Sequence, residues 1–183
     1  MSKRNATGFT LLELMVTVAI AAILAAMAFP SFTGSIRSNQ VATSTNELLA
    51  SISLARSEAI RGTRSAGICA SSDGANCGAD WNAGWLVWTD VGNTGLGTLG
   101  TGDTIVRYTQ AKPKVSISTG SVTAFIFDNR GRMTARNAGG SLIAASNPAI
   151  GLQSSVCPAG SQLVRSFNIN TAGQVRVVKA GCA

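Results

Sequence analysis

The sequence has no histidine. That removes the commonest acid–base side chain and the commonest zinc ligand. Serine and cysteine residues therefore lack their usual activating partner, and the eight Asp and Glu are scattered through 183 residues. No nucleophile–base constellation emerges. The chain is expected not to be an enzyme, with no catalytic residue, cofactor or metal. Acids are scarcest late in the chain: residues 104–183 hold nine Lys/Arg and only Asp128, against six Lys/Arg and seven Asp/Glu in residues 1–103. The formal charge of +7 thus sits at the C-terminal end. A basic end points either to an anionic partner or simply to good solubility.

Charge is also missing from one long stretch. From Phe9 to Phe29 nearly every side chain is hydrocarbon or small, and Glu13 alone carries a full charge. As a helix this run is long enough to cross a bilayer core. A carboxylate inside it costs roughly 2.5–3.5 kcal/mol on insertion scales, so it is expected to have a partner or a task. A polar leader, Met1 to Gly8, precedes the run, and its Lys3 and Arg4 favour a cytoplasmic N-terminus.

Gly8-Phe9-Thr10-Leu11-Leu12-Glu13 after a short basic leader resembles the class III signal of type IV pilins and type II secretion pseudopilins. An ordinary secretory signal puts its cleavage site after the apolar region rather than before it. The resemblance implies that a prepilin peptidase cuts between Gly8 and Phe9 and methylates the new Phe9 amine. It implies that the helix is retained and that Glu13 sets axial register against a neighbouring Phe9 amine in a filament. The plain reading of the same residues is a membrane anchor with a chance Glu. On the family reading, residues 1–8 are leader, 9–62 a single helix with 9–29 spanning the inner membrane, and 63–183 a periplasmic head.

Pro30 lacks an N–H, so a kink is expected there. Beyond it, Val41, Leu48, Ile52, Ala55 and Ala59 form one stripe on a helix, suited to lie on the head, and Gly62 is a plausible C-cap. The expected helix from Phe9 to Arg61 is about 80 Å long.

After Arg64 the pattern changes to short β-type runs. Strands are predicted at Ser65–Ala70, Gly84–Thr89, Thr104–Thr109, Val115–Ser118, Val122–Asp128, Arg132–Arg136, Gly151–Val156, Leu163–Ile169 and Gln174–Val178. Asp128–Gly131 and Asn170–Gly173 read as hairpin turns. The run Val122–Phe127 is apolar on both faces and is expected to be a central strand. Trp81, Trp85 and Trp88 read as core and rim aromatics, with a carbohydrate or base-stacking platform as the sharper alternative. Cys69, Cys77, Cys157 and Cys182 all follow the helix, and an even count in an exported domain suggests disulfides. Sequence order favours Cys69–Cys77 and Cys157–Cys182 among three possible connectivities. A four-cysteine zinc site is the rival, but it lacks tight Cys-x-x-Cys knuckles. Gly95-Leu96-Gly97-Thr98-Leu99-Gly100 matches Gly-x-Gly-x-x-Gly, yet a dinucleotide site needs a helix after it. Here Val91–Asp103 reads as a Gly/Thr loop leading to a strand.

The layout also resembles the GspH/FimT family of minor pilins and pseudopilins. The resemblance rests on Leu48–Ile60, Phe127–Arg132 and Asn170–Arg176. It implies an α+β fold, the long helix packed on a β-rich head of two antiparallel sheets, and partners among major and minor pilins. Three roles follow by resemblance: a minor pilin that initiates or caps a type IV pilus, a DNA-binding pilin for natural transformation, or a type II secretion pseudopilin. For DNA the candidate contacts are Arg130, Arg132, Arg136, Arg165, Arg176 and Lys179. Gly173-Gln174-Val175-Arg176 resembles a Gly-Arg-x-Arg element of the DNA-binding members, with Gln174 in place of its first Arg. A solvated basic face is the simpler reading.

Overall fold

A computed structural model describes residues 8–92, 99–143 and 149–182, with the side chains of 27–31 excepted. The expected leader, apart from Gly8, lies outside the described residues, as does Gly95–Thr98 of the glycine-rich loop. Two compact units, Met1–Arg37 and Ser38–Ala183, divide the chain, and the helix Leu11–Gly62 contributes to both.

Helix α1 (Leu11–Gly62) begins at Thr10, whose hydroxyl accepts the Glu13 N–H at 3.2 Å. Thr10 is thus the N-cap and Glu13 the third helical residue, an arrangement that satisfies one of the helix's orphan donors. The helical assignment continues through Pro30. The expected kink falls among residues whose side chains lie outside the described set. The helix stops at Gly62, and Thr63 follows with a positive φ of 51°. Arg64 N–H then donates to Ala59 O, closing the last turn.

Ten strands follow among the described residues: β1 (Ala66–Ala70), β2 (Gly84–Thr89), β3 (Thr104–Gln110), β4 (Val115–Ser118), β5 (Ala124–Phe127), β6 (Met133–Arg136), β7 (Leu142–Ile143), β8 (Ala149–Ser154), β9 (Val164–Ile169) and β10 (Val175–Ala180). They form two antiparallel sheets, sheet A in the order β3-β2-β1-β5-β6-β7 and sheet B in the order β10-β9-β8-β4. The fold is α+β, a long helix packed against two sheets. Strand β5 is interior, as its two-faced apolar pattern predicts, though shorter than the run Val122–Phe127. Val122 instead closes a turn, its carbonyl accepting the Thr119 hydroxyl at 2.6 Å. Strand β7 was not anticipated; two residues carry no period of their own, and pairing with β6 defines it.

One core joins the layers. The predicted helix stripe, Val41, Leu48, Ile52, Ala55 and Ala59, is wholly buried. It meets Ile68, Trp85, Phe125 and Phe127 of sheet A and Ile117, Ile150, Leu152 and Phe167 of sheet B. A smaller cluster, Cys69, Leu86, Trp88 and Ile126, packs on the opposite face of sheet A. The three tryptophans are all buried, so none forms a rim or stacking platform. Their indoles are partly accounted for: Trp85 Nε1 donates to Ser51 Oγ of α1 at 2.9 Å, and Trp81 Nε1 to Val122 O at 3.0 Å. Such pairing is what allows a polar ring edge to be buried without loss. Asn82 Oδ1 accepts the Ile117 N–H at 2.8 Å and ties the loop before β2 to sheet B.

Candidate functional site

Two constellations stand out, one in each unit. The first is the start of α1. Every described side chain from Gly8 to Ala26 is exposed, with Phe9 79% and Leu11 76% accessible. Leu12, Leu14, Met15, Val16, Val18, Ile20, Ile23 and Leu24 share that state. So much bare hydrocarbon needs lipid or other helices around it. Glu13 lies within it and joins no ion pair among the described residues. Among the described residues no helix is long and apolar enough to cross a membrane. The described side chains of the run expected over 9–29 stop at Ala26.

The second constellation lies where α1 meets the head. Arg56 reaches out from the helix and donates through Nε to Gly131 O at 3.2 Å and through Nη2 to Ala172 O at 2.9 Å. Those carbonyls belong to the two predicted hairpin turns. The turns are near copies of each other. Gly131 N–H donates to Asp128 O and Asp128 N–H to Arg132 O; Gly173 N–H donates to Asn170 O and Asn170 N–H to Gln174 O. Both glycines are left-handed, with φ of 74° and 72°, a conformation in which a Cβ is costly. A Cβ on Gly173 would also stand 2.2 Å from Gly131 O. The side chains Asp128 and Asn170 complete each turn, accepting N–H groups of Arg130 and Arg132 and of Gln174. Thr171 O then accepts the Met133 N–H at 2.9 Å, stitching sheet A to sheet B.

Two carboxyls at turns are shifted. Burial alone would raise Asp128, but the Arg132 N–H and guanidinium and the Arg130 N–H outweigh it and hold the group below its usual range. Asp73 is held far below that range, first by the Asn76 side chain, then by the N–H groups of Ala75 and Asn76. It organises the loop closed by the Cys69–Cys77 disulfide. The second disulfide joins Cys157 to Cys182 at the end of the chain. With the four sulfurs bonded in two pairs, no thiolate remains for zinc. Asp103 accepts the N–H groups of Val91 and Gly100, either side of the undescribed stretch. A turn and then β3, not a helix, follow the glycine-rich loop.

The basic residues do not form one group. Arg130 and Arg132 share the Asp128 turn, where Arg132 is ion-paired to Asp128 at 2.7 Å. Arg136 ends β6, and its guanidinium donates to Gly140 O. Arg176 and Lys179 are exposed on β10 in the other sheet. Arg165 is 7% exposed and faces inward, donating to Gln162 O and Val164 O. Arg56, which joins the two turns to the helix, is the residue that sequence reasoning passed over.

A helix with an exposed apolar start and a head of two antiparallel sheets are the parts of a prepilin-type subunit. A family model described as type II transport protein GspH matches residues 44–173, and the prokaryotic N-terminal methylation motif matches residues 3–29. The chain belongs to the GspH family of minor pilins and pseudopilins, structural subunits rather than enzymes. The motif implies processing by a prepilin peptidase, assembly with other pilins, and passage from the inner membrane into a pilus or pseudopilus. Two crystal forms of the type IV minor pilin FimU from Pseudomonas aeruginosa PAO1 share the fold. Their TM-scores are 0.52 and 0.50, each at 20% identity, covering 76% and 74% of this chain and 89% and 90% of FimU. No curated protein sequence matches the chain.

Proposed function

We propose that the chain is a minor pilin that helps to initiate or cap a type IV pilus. Residues 9–29 hold it as a single pass in the inner membrane, head in the periplasm. Prepilin peptidase cuts between Gly8 and Phe9 and methylates the Phe9 amine. The helix then leaves lipid by packing against those of other pilins, and Pro30 lets it bend. The observation that carries this reading is the uniformly exposed apolar surface from Phe9 to Ala26 with the Glu13 carboxylate set in it. Inside a dry helix bundle Glu13 pairs with a neighbour's Phe9 amine, which offsets the cost of burying both charges and fixes register. Thr10 prepares the site by capping the helix, so that Glu13 sits in the first turn, where the helix dipole favours a negative charge.

A second reading, a minor pseudopilin of a type II secretion system, is favoured by the description of the family model itself. One experiment addresses both. In a strain lacking the gene, the wild-type chain should restore surface pili, whereas Glu13→Ala should be processed normally yet restore none. Restored protein secretion without pili would favour the pseudopilin, and full assembly by Glu13→Ala would remove the registration role.

A further inference from the structure

An exposed sheet edge offers unpaired N–H and C=O groups to any passing strand unless it is blunted. Three edges of this head are blunted. Strand β3 is bulged opposite Val87 and Trp88 and carries Arg107, β7 has two residues, and β4 has four. Strand β10 differs. It runs six residues in unbroken register against β9, from Val175 opposite Ile169 to Ala180 opposite Val164, with no proline and, among the described residues, no strand on its second side.

The turn before β10 sets its phase. Because Asn170 N–H donates to Gln174 O, the alternation of an antiparallel ladder turns the backbone groups of Arg176, Val178 and Ala180 towards β9. Those of Val175, Val177 and Lys179 face outward and have no backbone partner among the described residues. A cleft lies on either side of the strand. One, of about 290 Å³, is bounded by Leu49, Ile52, Ile60 and Val175. The other, of about 700 Å³, is bounded by Asn168, Arg176 and Val178. Alternate side chains of an added strand have a cleft to enter on each face.

Charge selects the occupant. Lys179 stands directly opposite Arg165, a like-charged pair that costs stability. Neither joins an ion pair among the described residues, and β9, β10 and their turn contain no Asp or Glu. A second copy of β10 would bring more Arg and Lys to the same edge and is disfavoured. We propose that the free edge of β10 takes up an extended, acidic segment of another filament subunit, which becomes a fifth strand of sheet B. This rests on the assembly role proposed above.

The test uses the full chain in detergent, alone and co-expressed with the other prepilins of its native cell, read by amide hydrogen exchange and by co-purification. The amides of Val175, Val177 and Lys179 should exchange freely alone and at least tenfold more slowly in the complex. Val177→Pro removes an outward N–H but no bond of the β9–β10 ladder, and should cut co-purification at least tenfold. Arg176→Glu combined with Lys179→Glu should do the same. A complex that forms with these amides unprotected overturns the proposal alone, and the wild-type exchange decides this even if a variant misfolds. Protection by a 30-base-pair duplex and not by prepilins overturns it too. If the wild-type chain binds none of those prepilins, the assembly reading falls and takes this proposal with it.

Discussion

Arg56 shows how much one side chain can hold. It is half-buried, and its two hydrogen bonds reach carbonyls 75 and 116 residues further along the chain. Bonds from a charged donor contribute more than neutral ones, and a partner left bare costs more than the bond itself. Arg56→Ala should destabilise the head by about 2–3 kcal/mol, lowering its melting temperature by roughly 5–10 °C, while leaving prepilin processing untouched. Differential scanning calorimetry of the purified protein checks it, and an unchanged melting point would mean that the twin turns stand without the clamp. Asp128 makes a related claim about pH. Its pKa is lower folded than unfolded, so its stabilisation is complete above the unfolded value near 4 and is lost as pH falls through the lowered folded value. Asp128→Asn should therefore cost about 1 kcal/mol at pH 7. The gap to wild type should close as urea melts are repeated at falling pH below about 4. A gap that stays constant with pH would show that charge is not what holds that turn.

Elements differ in how plainly they could be read before the fold was known. Strands β2 and β4 match their predicted bounds, because runs such as Gly84-Trp85-Leu86-Val87-Trp88-Thr89 are rich in β-branched and aromatic residues and end at polar ones. Both hairpins were legible from Asx and Gly at fixed offsets. The buried face of α1 followed from its 3.6-residue spacing. Arg56 was not legible: a lone Arg on a helix reads as solvated until two distant turns arrive beside it. Arg165 could have been read. It alternates in phase with Phe167 and Ile169, which points it inward, away from any surface that could meet DNA. Strand β7 and the meeting of the two turns belong to tertiary pairing, which no local pattern encodes.

At the scale of the whole molecule the two units divide the work. Ser38–Ala183 folds around one core closed by two sheets, two disulfides and the Arg56 clamp. The helix from Phe9 to Ala26 carries an apolar surface that is exposed among the described residues. A head with its own core and a helix bearing the N-terminal methylation motif make a subunit that assembles with other pilins. The central claim is that the helix is kept, trimmed at its polar front and capped by a methyl group. Intact-mass spectrometry of the protein from its native cell measures this directly. The account predicts a chain beginning at N-methylated Phe9, with residues 1–8 gone and both disulfides formed. A chain still beginning at Met1, or one that has lost the whole stretch to Phe29, would contradict it.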